Sequence, residues 1–218
     1  MSEFNPHEAT FDRLLQVAAE VFAEVGFRDA TVREICTRAN VNVASVNYYF
    51  RSKDALYVQA LSFAFQEVNR HYPKDHFLDQ TIAPEQKLAR FIDDLLMKLL
   101  DDSQLGCFNK LILREIYEPT KALDEILLTC IMPQLTQLED ILQQLLGEKT
   151  DKLTVQRSMW SILGQCLPFL HSRSIIDRLY PELIANPLAI QATAQHITQF
   201  SLQALKQFKT LPSGDTDA

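Results

Sequence analysis

The 218-residue chain is 47% hydrophobic and 22% charged, which suits a soluble globular protein of one larger or two small domains. Its five glycines lie at least seventeen residues apart, which excludes glycine-rich phosphate loops and the G-x-S-x-G nucleophile turn; no two of its four cysteines lie within twenty residues, which excludes zinc-type spacing. The formal net charge is −7, yet residues 26–54 carry five basic and three acidic side chains, against fourteen basic and nineteen acidic over 73–218, a basic head on an acidic body.

Apolar residues recur at three- and four-residue spacing almost throughout, so the expected fold class is all-α. The N-terminal MSEFNPHEATFDR has acids and no apolar run, so no signal peptide is expected, and the cysteines are expected as buried, reduced thiols of a cytoplasmic protein. HEATFDRLLQVAAEVFAEVG reads as a first helix with Leu14, Leu15, Ala18, Val21 and Phe22 on one stripe and Gly26 as its stop. Thr31 with Glu34 makes a capping box for a short second helix, ended by Asn40 in a left-handed turn. A third helix spans about Val43 to Tyr49, and the pair around its tight turn is a helix-turn-helix. Ser52 caps a longer helix from Lys53, stopped by Pro73. Past the boundary segment HYPKDHFLDQ, helices are expected near 84–101, 104–117, 120–146, 150–172 and 187–209, with a kink at Pro133 and a disordered tail over 211–218.

DNA reading requires a helix that enters the major groove with small or polar side chains outward, and phosphate contacts on both sides of it. Val43, Ala44, Ser45 and Asn47 supply such a face, with Asn42 just ahead of it. Tyr48 and Tyr49 are candidate hydroxyl donors to phosphate, and Thr31 and Lys53 stand at helix N-termini, which favour anions. Val46 and Phe50 are expected inward, so VNYYF divides into core and clamp. Arg33 and Asn47 are the candidate base readers, Asn through a bidentate contact to adenine.

Gly26-Phe27, TVREI at 31–35 and NYYFRSK at 47–53 together resemble the TetR family of bacterial transcription regulators over about residues 10–60. Two departures stand out: Asn40 replaces the usual turn glycine, and Asn47 and Tyr49 replace the usual first tyrosine and the histidine, so operator preference is expected to differ from better-known relatives. REIYEPTKALDEIL at 114–127, followed by IMPQLTQLEDIL, resembles the regulatory domain of one TetR subgroup. The resemblance implies residues 1–72 as the DNA-binding domain and 73–210 as the effector-binding and dimerisation domain of a homodimer joined through helices 150–172 and 187–209. It also implies a repressor of a palindromic double-stranded DNA operator, released by a small molecule; an activator, or a regulator controlled by a protein partner, is the alternative.

The body carries apolar side chains on separate helices, Phe91, Met97, Phe108, Ile112, Met132, Trp160 and Phe169, with the uncharged polar Asn109 and Gln165 among them. They are candidate lining for a mostly apolar effector between helices 84–172, with Arg114 and Glu115 neutralising each other; filling of an ordinary core is the competing reading. The last helix has no charge from Leu188 to Leu205, glutamines every fourth residue, and an apolar face through Ile190, Ala194, Ile197, Ala204 and Phe208. Such neutrality fits a subunit interface that includes Ile197. Asn186, His196 and the glutamines make the stretch too polar for a membrane span. His71, Asp75 and His76 share no helical face because Pro73 intervenes, so no catalytic site, metal or cofactor is expected.

Overall fold

The computed structural model describes residues 6–72, 81–101, 103 and 106–210, so the tail 211–218 and segment 73–80, with Asp75 and His76, lie outside the described residues. Among the described residues the chain is all-α, without a strand. Its helices are α1 (Pro6–Asp29), α2 (Val32–Ala39), α3 (Val43–Tyr49), α4 (Lys53–His71), α5 (Pro84–Leu99), α6 (Cys107–Tyr117) and α7 (Ala122–Ile126). They continue as α8 (Met132–Leu146), α9 (Lys152–Cys166), α10 (Pro168–His171), α11 (Arg173–Leu179) and α12 (Pro187–Thr210).

The chain forms two compact units, residues 1–71 with 102–132 and residues 72–101 with 133–218. These units cut the chain differently from a single division at 72/73, because α6 and α7 pack with the helix-turn-helix, on α1 and α4. The core of the first unit joins Leu14, Val21 and Phe22 of α1 to Ile35 of α2, Val46 of α3, Leu56 and Tyr57 of α4, and Leu111 of α6, all essentially without solvent contact. Phe22, Phe27 and Tyr57 form an aromatic cluster with centroids 4.8 and 4.9 Å from Tyr57.

Two turns set this unit. Gly26 takes φ 86°, ψ 166°, a region essentially reserved for glycine, and breaks α1 before its last turn. Asn40 is left-handed at φ 52°, ψ 49°, its N–H reaching Thr37 O at 3.2 Å while the Val41 N–H reaches Cys36 O at 3.0 Å. That double closure satisfies helix-end carbonyls with asparagine where glycine is usual.

The second unit packs α5, α8, α9 and α12 around Leu88, Ile92, Leu96, Leu138, Leu142, Ile162, Cys166 and Ile197. Three expected helices are shorter or broken. The helix expected over 120–146 passes through a π-helical turn, Leu127–Ile131, that ends two residues before Pro133. A proline lacks an N–H and crowds the carbonyl four residues earlier, here Thr129, and the wider turn relieves that clash. The helix expected over 150–172 ends at Cys166 and restarts at Pro168 for the same reason. The one expected from 104 begins at Cys107. Cys36, Cys130 and Cys166 are buried, Cys107 is half-buried, and none is in a disulfide; burial raises the Cys166 thiol pKa to about 12 and the Cys107 thiol pKa to about 11.

Candidate nucleic-acid interface

The recognition geometry begins with caps. Thr31 opens α2, its Oγ1 accepting from the Glu34 N–H at 3.1 Å, while the Glu34 carboxylate pairs with Arg38 at 2.8 Å. Asn42 opens α3, its Oδ1 accepting from the Ala44 N–H at 2.9 Å, which leaves its amide NH2 as the donor for other partners. Ser52 caps α4 through the Ala55 N–H at 3.1 Å.

On α3, Val46 and the following Phe50 point into the core, 1% and 3% exposed. Val43, Ala44, Asn47 and Tyr48 are exposed on one face, Tyr48 at 81%, with Ser45 half-buried beside them. The aromatic run is therefore graded by burial. Phe50 stacks on Phe11 of α1 at 5.3 Å, Tyr49 is half-buried with its ring edge-on to Phe11 at 5.4 Å, and Tyr48 stands free of the core. Arg33 and Thr31 are exposed on α2 and its cap.

Lys53 has a structural role that its position at a helix start did not reveal. Its Nζ donates to the Arg28 carbonyl at 3.1 Å and lies 4.7 Å from the centroid of the Phe27 ring. The side chain ties the start of α4 to the end of α1, with one of its three N–H donors taken up there.

Arg114 and Glu115 do not neutralise each other. Arg114 donates to the Ala23 and Glu24 carbonyls at 3.2 and 2.8 Å. Glu115, fully buried, accepts from Tyr57 Oη at 2.7 Å, Thr120 N at 3.0 Å and Thr120 Oγ1 at 2.9 Å. Burial, together with the hydrogen bond to the Glu115 carboxylate, pushes the Tyr57 phenol well above its ordinary range. Paired with other elements, the two residues build the first unit.

The candidate effector residues are divided between the units. Phe108, Asn109, Ile112 and Met132 belong to the first; Phe91, Met97, Trp160, Gln165 and Phe169 belong to the second. Phe108 and Ile112 are buried core residues, Phe108 with its ring 5.2 Å from that of Phe65, while Asn109 is half-buried. Phe91 is buried in the core of the second unit, and Met97 and Phe169 pack against it. Met132 and Trp160 are 48% and 58% exposed in the single chain. Gln165 donates to Ser201 Oγ at 3.2 Å, joining α9 to α12 at a 390 Å³ groove that Arg157, Ser161, Phe200 and Phe208 also line.

The expected apolar face of α12 also divides. Ile190, Ala194 and Ile197 are buried against this chain's own α5 and α9, so Ile197 is corrected from interface to core. The exposed large apolar side chains of α12 are Leu188, Phe200 and Phe208, with Leu153 and Trp160 exposed on α9. No helix of the described residues is long and apolar enough to cross a membrane, and no cluster of metal-ligating side chains occurs among them.

Residues 14–60 match the family model for bacterial regulatory proteins of the tetR family, and residues 84–205 match that for the C-terminal domain of the HTH-type transcriptional dual regulator CecR. The chain is 25% identical to the Probable HTH-type transcriptional regulator YttP of Bacillus subtilis strain 168 over 199 residues, 91% of each chain. It is 26% identical to the dual regulator CecR of Shigella flexneri over 165 residues, 72% of this chain and 74% of that one. Its fold is similar to the crystal structure of the Bacillus subtilis regulator FadR in complex with stearoyl-CoA, at a TM-score of 0.66 and 19% identity, covering 88% of this chain and 97% of FadR. The exposed α3 face on its capped helix-turn-helix, and the match of both halves to regulator families, place this chain in the TetR family of DNA-binding transcriptional regulators.

Proposed function

We propose that this chain acts in the cytoplasm as a homodimeric repressor of a palindromic operator, released when a mostly apolar small molecule binds its body. The observation that carries the DNA-reading part is the outward face of α3, where Val43, Ala44 and Asn47 are small enough to approach base edges and Tyr48 flanks them at 81% exposure. Asn47 and Arg33 read bases, while Thr31, Asn42, Ser45, Tyr48, Tyr49 and the remaining donors of Lys53 engage the backbone.

The dimer reading is supported by the exposed apolar side chains Trp160 of α9 and Leu188, Phe200 and Phe208 of α12, of which Leu188 and Phe200 lie on a stretch with no charge from Leu188 to Leu205. A second copy related by twofold symmetry would present two α3 helices to successive major grooves, roughly 34–36 Å apart. An effector that prefers another arrangement shifts the population away from DNA. FadR was solved with stearoyl-CoA, which makes an acyl chain the first effector probe to try.

The test is selection of bound duplexes from a random pool by the full chain, repeated with fatty acids, acyl-CoA esters and a metabolite library. Enrichment of an inverted repeat, lost with one class of added molecule, is expected. Recovery of no shared half-site would defeat the operator reading, and a repeat whose binding no molecule weakens would defeat the effector reading.

A further inference from the structure

The end of α1 gathers polar contacts from three other helices, α2, α4 and α6. At Gly26 the backbone leaves helical geometry, and α1 ends in carbonyl groups at the negative end of its dipole. Arg114 of α6 addresses two of them, Nε to Ala23 O at 3.2 Å and Nη2 to Glu24 O at 2.8 Å. A Cβ placed on Gly26 would lie 2.9 Å from Arg114 Nη1, so the guanidinium is packed directly on that glycine. The carboxylate of the same Glu24 accepts from Arg38 of α2 at 2.7 Å. Glu24 is thus held to α6 by its carbonyl and to α2 by its side chain. On the far side of the turn, the Arg28 carbonyl takes Lys53 of α4 at 3.1 Å.

We infer that Arg114 is a positioning residue for DNA reading. It stands on a helix that supplies none of the reading face, yet it fixes the end of α1 and, through Glu24 and Arg38, the tilt of α2, which carries Thr31 and Arg33 and supports α3. The planar fork meets two successive carbonyls from two nitrogens at a fixed angle, which a single ammonium nitrogen does not reproduce, so lysine replaces arginine here in part only. Glu115, the neighbour of Arg114, anchors α6 against Tyr57 and keeps the fork in register. The role depends on DNA binding alone and stands or falls apart from the effector and repressor readings.

Arg114→Met keeps the length and loses the fork; Arg114→Lys keeps the charge. Each full-length variant is taken at a temperature where it is fully folded. Binding is measured over a salt series to the duplex recovered by selection with the wild type and to a scrambled duplex of the same length. Arg114→Met is expected to bind the selected duplex about tenfold more weakly and the scrambled one within about twofold of wild type, with an unchanged salt slope and Arg114→Lys in between. A double variant with Arg38→Met should be no weaker than the weaker single, because both act through Glu24. Equal losses on both duplexes would mark a general structural role. A salt slope lower by about one contact would mark Arg114 as a phosphate ligand, and affinity within about twofold of wild type would mark it as idle. Any of these three results, or additive losses in the double variant, overturns the inference; if Arg114→Met does not fold, Arg114→Lys decides by the same comparison.

Discussion

Tyr57→Phe removes one oxygen from the centre of the first unit and little else. The ring keeps its contacts with Phe22 and Phe27 at 4.8 and 4.9 Å, and no cavity opens beyond the hydroxyl. What is lost is the 2.7 Å hydrogen bond to Glu115, a carboxylate with no solvent exposure that then keeps only its two bonds from Thr120. A hydrogen bond to a charged group contributes about 1.5–3 kcal/mol, and water cannot enter to replace it, so the variant should unfold that much more easily. In a chain of this length, that is a fall of roughly 3–12 °C in Tm. Urea titrations with an unchanged m value would measure it. The pH dependence gives an independent sign. The folded-state pKa of Tyr57 is raised, so its contribution is fully present below the unfolded value near 10 and is lost as pH rises above it. The wild type should therefore lose stability above about pH 10 more steeply than Tyr57→Phe, by up to about 1.4 kcal/mol per pH unit. A variant within about 0.5 kcal/mol of wild type at neutral pH, with the same alkaline slope, would show that the hydroxyl and Glu115 are not paired.

On the proposed dimer, Phe200→Asp, at a site 62% exposed in the single chain, should place unpaired charge between subunits and leave a folded monomer at micromolar concentration in sedimentation. Ile197→Asp, at 5% exposure, should instead unfold the second unit. A folded dimer in the first case would move the interface elsewhere. In DNA binding, Asn47→Ala should relax preference at one base pair of each half-site by about 1–3 kcal/mol, whereas Tyr48→Phe should weaken all sequences alike; a uniform loss for Asn47→Ala would remove it from the base readers. At the turn, Asn40→Gly should be near neutral and Asn40→Ala should cost about 1 kcal/mol in chemical denaturation, since the residue sits at φ 52°. Equal stability of the two variants would mean the left-handed turn relaxes. In acid, the Asp151 carboxylate capping α9 is held below the usual range by the Thr154 hydroxyl and N–H, at 2.7 and 2.9 Å. Its support should be present at neutral pH and fade as pH falls below about 4, and Asp151→Ala should lack that fade.

The helix-turn-helix was readable because its determinants are local. A cap and its N–H lie three residues apart, a left-handed turn is decided at one position, and an apolar stripe repeats within two turns; Thr31, Asn40, Val46 and Phe50 behave as those rules require. The contacts that were not legible join residues far apart along the chain. Lys53 meets Arg28 twenty-five residues away, Tyr57 meets Glu115 at fifty-eight, and Arg114 meets Glu24 at ninety, so a charge pattern made Arg114 and Glu115 look like a pair when each belongs to another helix. Apolar side chains were ambiguous for a different reason. On α9 and α12, periodicity finds faces without saying which one meets the chain's own core. Ile197 and Phe200 are three residues apart on the same charge-free stretch of α12, yet one is 5% and the other 62% exposed. Removing charge from a helix makes every face acceptable for burial, and only the packing against α5 and α9 decides which side remains for a partner. The lack of charge that suggested α12 as an interface helix is thus the same feature that left its own buried face undetermined.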